Sequence, residues 1–232
     1  MEKAYRNVSG LFIVILAGIF WGFHKPYTSL FPDFKGYVMT HHIHGALMMT
    51  WILMLIVQPL LIRAGRTDLH CKLGKFAYVL GPALMIYLFL IAKVGFHRDI
   101  QGDAKEAYAI MVLNLRGLFA FAILYVLAMY NRKRTPYHMR YMIGTGLLAI
   151  GPGFGRALIF SYGYSLWDAL AITDYIAIGI TVMLLGYDIY KKNVLLPYSI
   201  VLAILCVEAF LWYERFSGPW QSFAAKYAAL FF

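Results

Sequence analysis

Seven long apolar stretches fill almost the whole chain, and only short segments with ionisable residues separate them. A hydrocarbon core of roughly 30 Å needs about 20 apolar residues per helix, which each stretch reaches or approaches. Because the stretches are continuous rather than alternating, helices are the expected way to satisfy the backbone in lipid. The pattern predicts an all-α, seven-helix transmembrane bundle that forms a single integral membrane domain over residues 1–232, with helices at 8–24, 38–62, 73–95, 107–130, 139–161, 167–189 and 194–213.

Composition and charge favour a membrane protein over a soluble domain. Hydrophobic residues make up 62% of the chain and charged residues 14%, with a mean hydropathy of +0.67. A net charge of +10 would suggest nucleic-acid binding in a soluble protein, but the basic residues collect in alternate loops, so no nucleic-acid partner is expected. Those loops and their flanks hold Arg63, Arg66, Lys72, Lys75, Arg132, Lys133, Arg134, Arg140, Lys191 and Lys192.

The basic loops also predict an orientation. The positive-inside rule assigns them to the cytoplasm, and Lys3 and Arg6 then agree with a cytoplasmic N-terminus. Seven crossings leave the segment after Tyr213 outside, and Trp212, Tyr213 and Trp220 are expected to anchor the outer interface. The chain is therefore predicted to be a multi-pass protein of a bacterial inner membrane, surrounded by membrane lipids.

Two hairpins of the chain resemble each other. The string Arg66–Lys72 is echoed by Arg134–Arg140, and Gly81-Pro82 is echoed by Gly151-Pro152. Helices two to three and four to five would then form a parallel repeat about an axis along the membrane normal. The glycines around Pro152 also predict a break near the middle of helix five, either in a transport pathway or as a packing kink.

Polar residues follow helical spacing and gather at one predicted depth near the outer side. Intramembrane ionisable residues are costly unless paired or hydrated, so they are expected to face a shared interior. One interpretation is a structural ion-pair network, with Arg116 bound to Glu208 or Arg156 to Asp174. The other is a polar cavity that binds an anionic headgroup, a quinone or a small substrate. The residues at this depth are His44, Lys93, Asn114, Arg116, Arg156, Asp174 and Glu208.

The group His41-His42-x-His44 suggests metal binding, because His41 and His44 share a helix face. A third ligand would complete a zinc-like shell with an open position. The alternative is a set of interfacial histidines hydrogen-bonded at a helix start. Candidates for the third ligand are His24, His97, Asp174 and Glu208.

His70 and His138 suggest a different chemistry. They occupy equivalent positions of the two hairpins, at the same predicted depth, where two helices could offer axial imidazoles to one b-type haem. The small residues Gly74, Ala77 and Gly81 above His70 would admit a macrocycle, although close helix packing uses the same residues. The alternative role for both histidines is to cap helices and meet lipid phosphates.

A likeness to a known family is carried by a set of residues in predicted helices two to five. They are His44-Gly45, Trp51, Gln58-Pro59, Arg66, Leu69-His70, Gly74, His138, Arg140-Tyr141-Met142 and Arg156. With these residues the chain resembles a family of bacterial polytopic membrane proteins, common in Bacteroidetes-type genomes. The resemblance implies a helical bundle and supplies no reaction. The chain resembles more weakly the transmembrane two-haem b-type cytochromes, but it lacks their second, outer histidine pair.

The leading functional hypothesis is redox or electron transfer with a b-type haem or a bound transition metal such as zinc. His70 and His138, or else His44, would be ligands, and Arg116 and Arg156 would stabilise an anionic partner. A quinone or another membrane redox protein would exchange the electrons. The alternatives are metal-dependent lipid modification at the outer leaflet, with His41, His44 and Asp174 or Glu208, and a non-enzymatic transporter or assembly subunit.

Overall fold

A computed structural model describes residues 8–232 of the chain, and every regular element in that range is helical. The α-helices are α1 (Val8–His24), α2 (Met39–Arg63), α3 (Thr67–Gly74), α4 (Ala77–Asp99), α5 (Ala104–Tyr130), α6 (Thr135–Leu147), α7 (Arg156–Tyr162), α8 (Leu166–Tyr190), α9 (Leu196–Tyr213) and α10 (Gly218–Phe231). Short 3₁₀ turns at Thr28–Leu30 and Glu214–Phe216 and a π-helical turn at Gly151–Gly155 complete them.

Six helical segments are long and apolar enough to cross a membrane, and α1 is apolar but shorter. Apolar side chains cover the outside of the bundle, including Val79, Val126 and Met183, which are each more than half exposed. Such a surface suits lipid contact and would be a liability in water. The prediction of a helical multi-pass membrane protein is confirmed. Lys3 and Arg6, which supported a cytoplasmic N-terminus, lie outside the described residues. The six segments are Met39–Arg63, Thr67–Asp99, Ala104–Tyr130, Thr135–Tyr162, Leu166–Tyr190 and Leu196–Phe216.

The long helices run back and forth between two ends of the bundle. We call the end that holds Arg63, Arg134 and Lys191 the basic end, and the end that holds His24, His41 and His97 the histidine end. The chain leaves the basic end through α3, a short polar helix that precedes the apolar α4. The predicted third helix, 73–95, did not include α3 as a separate helix, because α3 has little apolar character of its own.

A helix that the apolar pattern did not predict, α10, follows α9 at the histidine end. Ser217 caps it by accepting a hydrogen bond from the Trp220 N–H at 3.4 Å, and a proline stands in its first turn. Trp220 Nε1 donates to the Tyr108 carbonyl at 2.8 Å, and Lys93 donates to the Phe231 carbonyl at 3.2 Å. These bonds hold α10 against α4 and α5, where Ala224 and Ala228 pack into a small apolar cluster.

The glycine-rich segment does interrupt its helix, as expected. Helix α6 ends at Leu147, the π turn follows, and α7 continues from Arg156. The break fits closely against α1, since a Cβ on Gly22 would overlap the carbonyl oxygen of Gly153. Small residues allow two backbones to approach in this way, which strengthens packing where lipid provides no hydrophobic driving force.

Trp51 lies at the centre of the bundle and is completely buried. Its indole Nε1 donates to Thr145 Oγ1 at 3.1 Å, and the rings of Phe121 and Tyr125 meet it edge-on at 5.2 and 5.9 Å. A buried indole needs such a partner for its N–H. The contact joins α2, α5 and α6, and so fixes the helices that carry the polar groups.

Candidate functional site

The first polar group lies between α5, α8 and α9 in the half of the bundle nearer the histidine end. Arg116 pairs bidentately with Asp174: Nη1 donates to Oδ2 at 2.7 Å and Nη2 to Oδ1 at 3.0 Å. Arg116 Nη1 also donates to the backbone carbonyl of Glu208 at 2.9 Å, and its guanidinium lies 5.7 Å from the Trp212 ring centroid. A bidentate pair is the strongest geometry that an arginine and a carboxylate can adopt.

Glu208 belongs to the same group but has a different environment. Its carboxyl lies within electrostatic reach of Arg116 and Asp174, yet no hydrogen bond or ion pair from residues 8–232 reaches it. It lines a cleft of about 480 Å³ between α5, α9 and α10. Apart from Arg116 and Glu208 the cleft wall is uncharged, and Phe119 and Val207 at its edge are about half exposed. The cleft therefore opens sideways, toward lipid.

The second polar group lies at the histidine end and joins α2 to α7. His44 is within electrostatic reach of Arg156 and His41, and its Nδ1 is buried without any hydrogen-bond partner in the described structure. Arg156 Nη1 donates to the Pro152 carbonyl at 3.0 Å, and its guanidinium lies over the Phe23 ring at 4.5 Å. Among the described residues no carboxylate pairs with Arg156.

The loop between α1 and α2 closes over this second group. Tyr37 is within electrostatic reach of both Arg156 and Arg98, and Arg98 is itself paired with Asp99 at 2.8 Å. Tyr27 contacts His42 Nδ1 at 2.5 Å through its hydroxyl. Burial, and secondly Tyr37, raise the pKa of Tyr27, so this hydroxyl keeps its proton. His42 is thereby held in the loop packing and turned away from His44.

The three predicted metal ligands do not assemble into one shell. His41 Nδ1 accepts a hydrogen bond from the Val38 N–H at 3.2 Å, as in the predicted alternative of a histidine at a helix start. His97 is exposed and lies beside the Phe96 ring, with 6.2 Å between centroids. In the part of the chain that the structure describes, no three histidine, cysteine or carboxylate side chains form a group that could hold a metal ion.

The two predicted haem ligands do lie near each other at the basic end. His138 is within electrostatic reach of His70, and its Nδ1 donates to the Ala128 carbonyl at 2.8 Å, which leaves Nε2 with a free lone pair. The Gln58 amide contacts His70 Nδ1 at 2.5 Å; oriented so that its oxygen accepts from the Gly74 N–H at 3.0 Å, its nitrogen donates to that ring. His70 then carries its proton on Nε2.

The small residues above His70 do not enclose an open space. The ring of Tyr125 packs directly against Gly81, so closely that a Cβ there would collide with it. The Tyr125 hydroxyl donates to the Ala77 carbonyl at 3.1 Å. These contacts correspond to the packing alternative for the small residues, and a macrocycle beside Gly81 would have to displace the tyrosine.

A third polar group at the basic end was not anticipated as such. Arg140, assigned from the sequence to the flank of a basic loop, is completely buried and pairs bidentately with Asp188: Nε donates to Oδ2 at 2.6 Å and Nη2 to Oδ1 at 2.7 Å. Arg140 Nη1 also donates to the Pro136 carbonyl at 2.9 Å, and Asn193 Nδ2 donates to Asp188 Oδ1 at 3.0 Å. The one signal in the sequence was the helical spacing of Asp188 from Asp174 and Thr181, which places the three side chains on one face of their helix.

The residues expected in one outer pocket are thus divided. Arg116, Asp174 and Glu208 form one group, and His44 and Arg156 belong to another together with His41, while Lys93 donates to the end of α10. No hydrogen bond or ion pair joins the two groups within residues 8–232. The two pairings considered from the sequence, Arg116 with the Glu208 carboxylate and Arg156 with Asp174, are replaced by the pair Arg116–Asp174.

Comparison with known proteins adds no further constraint: no family model, curated protein or solved structure matches the chain.

Proposed function

We propose that this multi-pass membrane protein binds a small oxyanion at its histidine end, between His44 and Arg156. The observation that carries the proposal is the buried Nδ1 of His44, which has no partner in the described structure, next to a guanidinium that has no carboxylate partner there. A ligand would satisfy both groups at once.

The electrostatics favour a negative ligand. Taking an unpaired charge out of water costs several kcal/mol, and the single carbonyl bond and ring contact of Arg156 do not neutralise its charge. Asp99, a carboxylate at this end of the bundle, is already paired with Arg98. An oxyanion would accept from the remaining guanidinium N–H groups and from the His44 ring N–H.

Phosphate or carboxylate oxygens share this chemistry, whether they belong to a lipid headgroup or to a free anion. A headgroup site would agree with lipid modification or lipid transfer at this leaflet, and a free-anion site with transport. In this proposal Arg156 and His44 bind and orient the oxyanion, His41 and Tyr37 border the site, and Arg116, Asp174 and Glu208 belong to a separate group.

Thermal stability in lipid nanodiscs tests the proposal. Inorganic phosphate, or phosphatidylglycerol in place of phosphatidylcholine, should raise the melting temperature of the wild type, and Arg156→Gln and His44→Ala should each abolish that rise. Arg132→Gln, an exposed arginine at the other end, should leave it unchanged. A rise with lipid alone identifies a headgroup, and a rise with phosphate alone identifies a free anion. An equal rise in wild type and Arg156→Gln would refute the site.

Electron transfer through a haem or metal at His70 and His138 is a second candidate. It is supported by the free Nε2 lone pair of His138 and by the nearness of His70. His138 would offer Nε2, and His70 would do so once the Gln58 amide turns over. A bound haem would supply one-electron chemistry to a quinone or to another membrane redox protein. A Soret band in purified protein, lost in His138→Ala and kept in His97→Ala, would support it. Protein that purifies without haem and without stoichiometric metal would contradict it.

We also propose that the chain crosses the membrane seven times, with the N-terminus and the basic end in the cytoplasm of a bacterial cell. We further propose that the hairpins α2–α4 and α5–α7 form a parallel repeat in which α3 and α6 are equivalent. Both helices start at a threonine after an arginine, and His70 and His138 each donate a backbone bond to that arginine's carbonyl at 3.0 Å. Cys71, exposed at the basic end, tests the orientation in a Cys206→Ser background. A membrane-impermeant maleimide should label it in inverted vesicles and not in intact cells; the reverse would refute the orientation.

A further inference from the structure

Glu208 stands in an electrostatic position that the oxyanion site does not use. Arg116 supplies one positive charge, and Asp174 takes it up through two hydrogen bonds at 2.7 and 3.0 Å. A second carboxylate beside that pair would leave the group with a net charge of −1. The other residues that line the cleft bear no charge that could balance it.

The position of Glu208 in the helix makes such a charge costly. It lies five residues before the end of α9, which is about 7.5 Å of helix, and its carboxyl borders a cleft walled by apolar side chains. An ionised carboxylate in apolar surroundings is far less stable than the neutral acid unless it is paired and hydrogen-bonded. From the described residues the carboxyl group of Glu208 receives neither a hydrogen bond nor an ion pair, since Arg116 donates only to its backbone carbonyl.

We infer that Glu208 is a proton-binding site: an uncharged carboxylic acid that faces the lipid-open cleft between α5, α9 and α10, and that loses its proton when the positive charge of Arg116 is released from Asp174. The charged groups that face it are Arg116 from α5 and Asp174 from α8, and α10 contributes only the uncharged Trp220 and Phe223. Arg116 can therefore form an ion pair with the carboxylate of Asp174 or with that of Glu208, but its single positive charge does not neutralise both.

An apolar carbodiimide is the direct probe, because it partitions into lipid and reacts with the protonated form of a carboxyl group. The acid oxygen adds to the central carbon of dicyclohexylcarbodiimide and the acid proton moves to one nitrogen. The adduct then rearranges to a stable acylurea that retains every atom of the reagent. Peptide mass spectrometry of the whole protein, labelled in nanodiscs, locates the added mass. We expect the label on Glu208 and not on Glu214, an exposed glutamate close by in the same segment.

Two variants separate a proton site from a merely accessible carboxyl. Glu208→Gln should lose the adduct on that peptide while the rest of the labelling pattern is unchanged. Asp174→Asn should also lose it, because Arg116 then draws Glu208 into an ion pair and the carboxylate no longer carries the proton that the reaction needs. The carbonyl stretching band of a protonated carboxyl, followed by infrared spectroscopy, should disappear in both variants.

The inference is wrong if wild-type Glu208 stays unlabelled, or if Asp174→Asn retains both the adduct and the infrared band. The wild-type labelling site decides the first point even if a variant does not fold. Phosphate binding at Arg156 is measured separately, so failure of either result leaves the other standing.

Discussion

Two of the aspartates on helix α8, Asp174 and Asp188, lie about four turns apart, and each pairs bidentately with an arginine from another helix. The pair at the basic end, Arg140–Asp188, is completely enclosed, with both side chains 0% exposed. The pair in the other half, Arg116–Asp174, is 8% and 16% exposed, and its arginine forms part of the cleft wall. The same two residue types therefore occur in one closed and one open setting.

The difference lies in what surrounds each pair. Around Arg140 and Asp188 further hydrogen-bonding positions are taken by Asn193 and the Pro136 carbonyl, and the guanidinium lies 5.8 Å from the Tyr198 ring centroid. The Arg116–Asp174 pair instead has a second carboxyl group beside it, that of Glu208. A closed pair with satisfied neighbours holds helices in place, whereas an open pair with a surplus acid can change its protonation state.

The largest effect is expected from Asp188→Asn. Removing one partner of a buried pair leaves an uncompensated charge, so unfolding free energy should fall by about 3–5 kcal/mol. Unfolding in mixed micelles with increasing sodium dodecyl sulfate measures it. Asp68→Asn, at an exposed pair with Arg66 and the same chemical change, should cost less than about 1 kcal/mol. Equal losses in the two variants would mean that enclosure of the Arg140 pair contributes nothing.

A smaller effect is expected from Asp174→Asn. Glu208 is close enough to replace the lost carboxylate, so the destabilisation should be about 1–3 kcal/mol, the range for a charged hydrogen bond lost and partly recovered. The double variant Asp174→Asn with Glu208→Gln removes the replacement carboxylate. Its loss of unfolding free energy should exceed the sum of the losses in the two single variants. Additive losses would contradict the exchange of partners.

The smallest effect is expected from Asn193→Ala, which removes one hydrogen bond to Asp188 Oδ1 but leaves the ion pair. A loss of about 1–2 kcal/mol in the same unfolding assay is expected for a bond to a charged group at the edge of the buried pair. Asn114→Ala makes the same change of residue type on another helix and serves as the control. A loss as large as that of Asp188→Asn would show that Asn193, and not the ion pair, dominates the basic end.

Much of the fold follows from the apolar pattern, because a long hydrophobic segment in lipid has few ways other than a helix to satisfy its backbone hydrogen bonds. The pattern located α1, α2 and α5 within a few residues. It did not reveal α10, whose start was nevertheless marked by Ser217, Gly218 and Pro219. That segment is short and rich in aromatic residues, and such residues serve equally well as interfacial anchors, so periodicity alone did not separate the two roles.

The polar groups were less predictable, for a physical reason. Spacing along a helix tells which residues share a face, but the choice among Arg116, Arg156, Asp174 and Glu208 as partners depends on how helices rotate against one another. Arg140 shows the limit most clearly, because an arginine beside a basic loop has the same sequence context whether it faces the cytoplasm or, as here, the interior. Partner choice is a property of the assembled bundle.

The π turn has a mechanical consequence for the ligand site. Arg156 is the first residue after Gly151–Gly155 and holds on to the Pro152 carbonyl inside that turn. If the wide turn moved one residue along the chain toward Tyr162, the residues it passed would rotate by about 100° around the helix axis. The guanidinium of Arg156 would then move away from the Phe23 ring. A shift of the π turn by one residue would therefore be enough to bind or release the oxyanion proposed to lie beside this arginine.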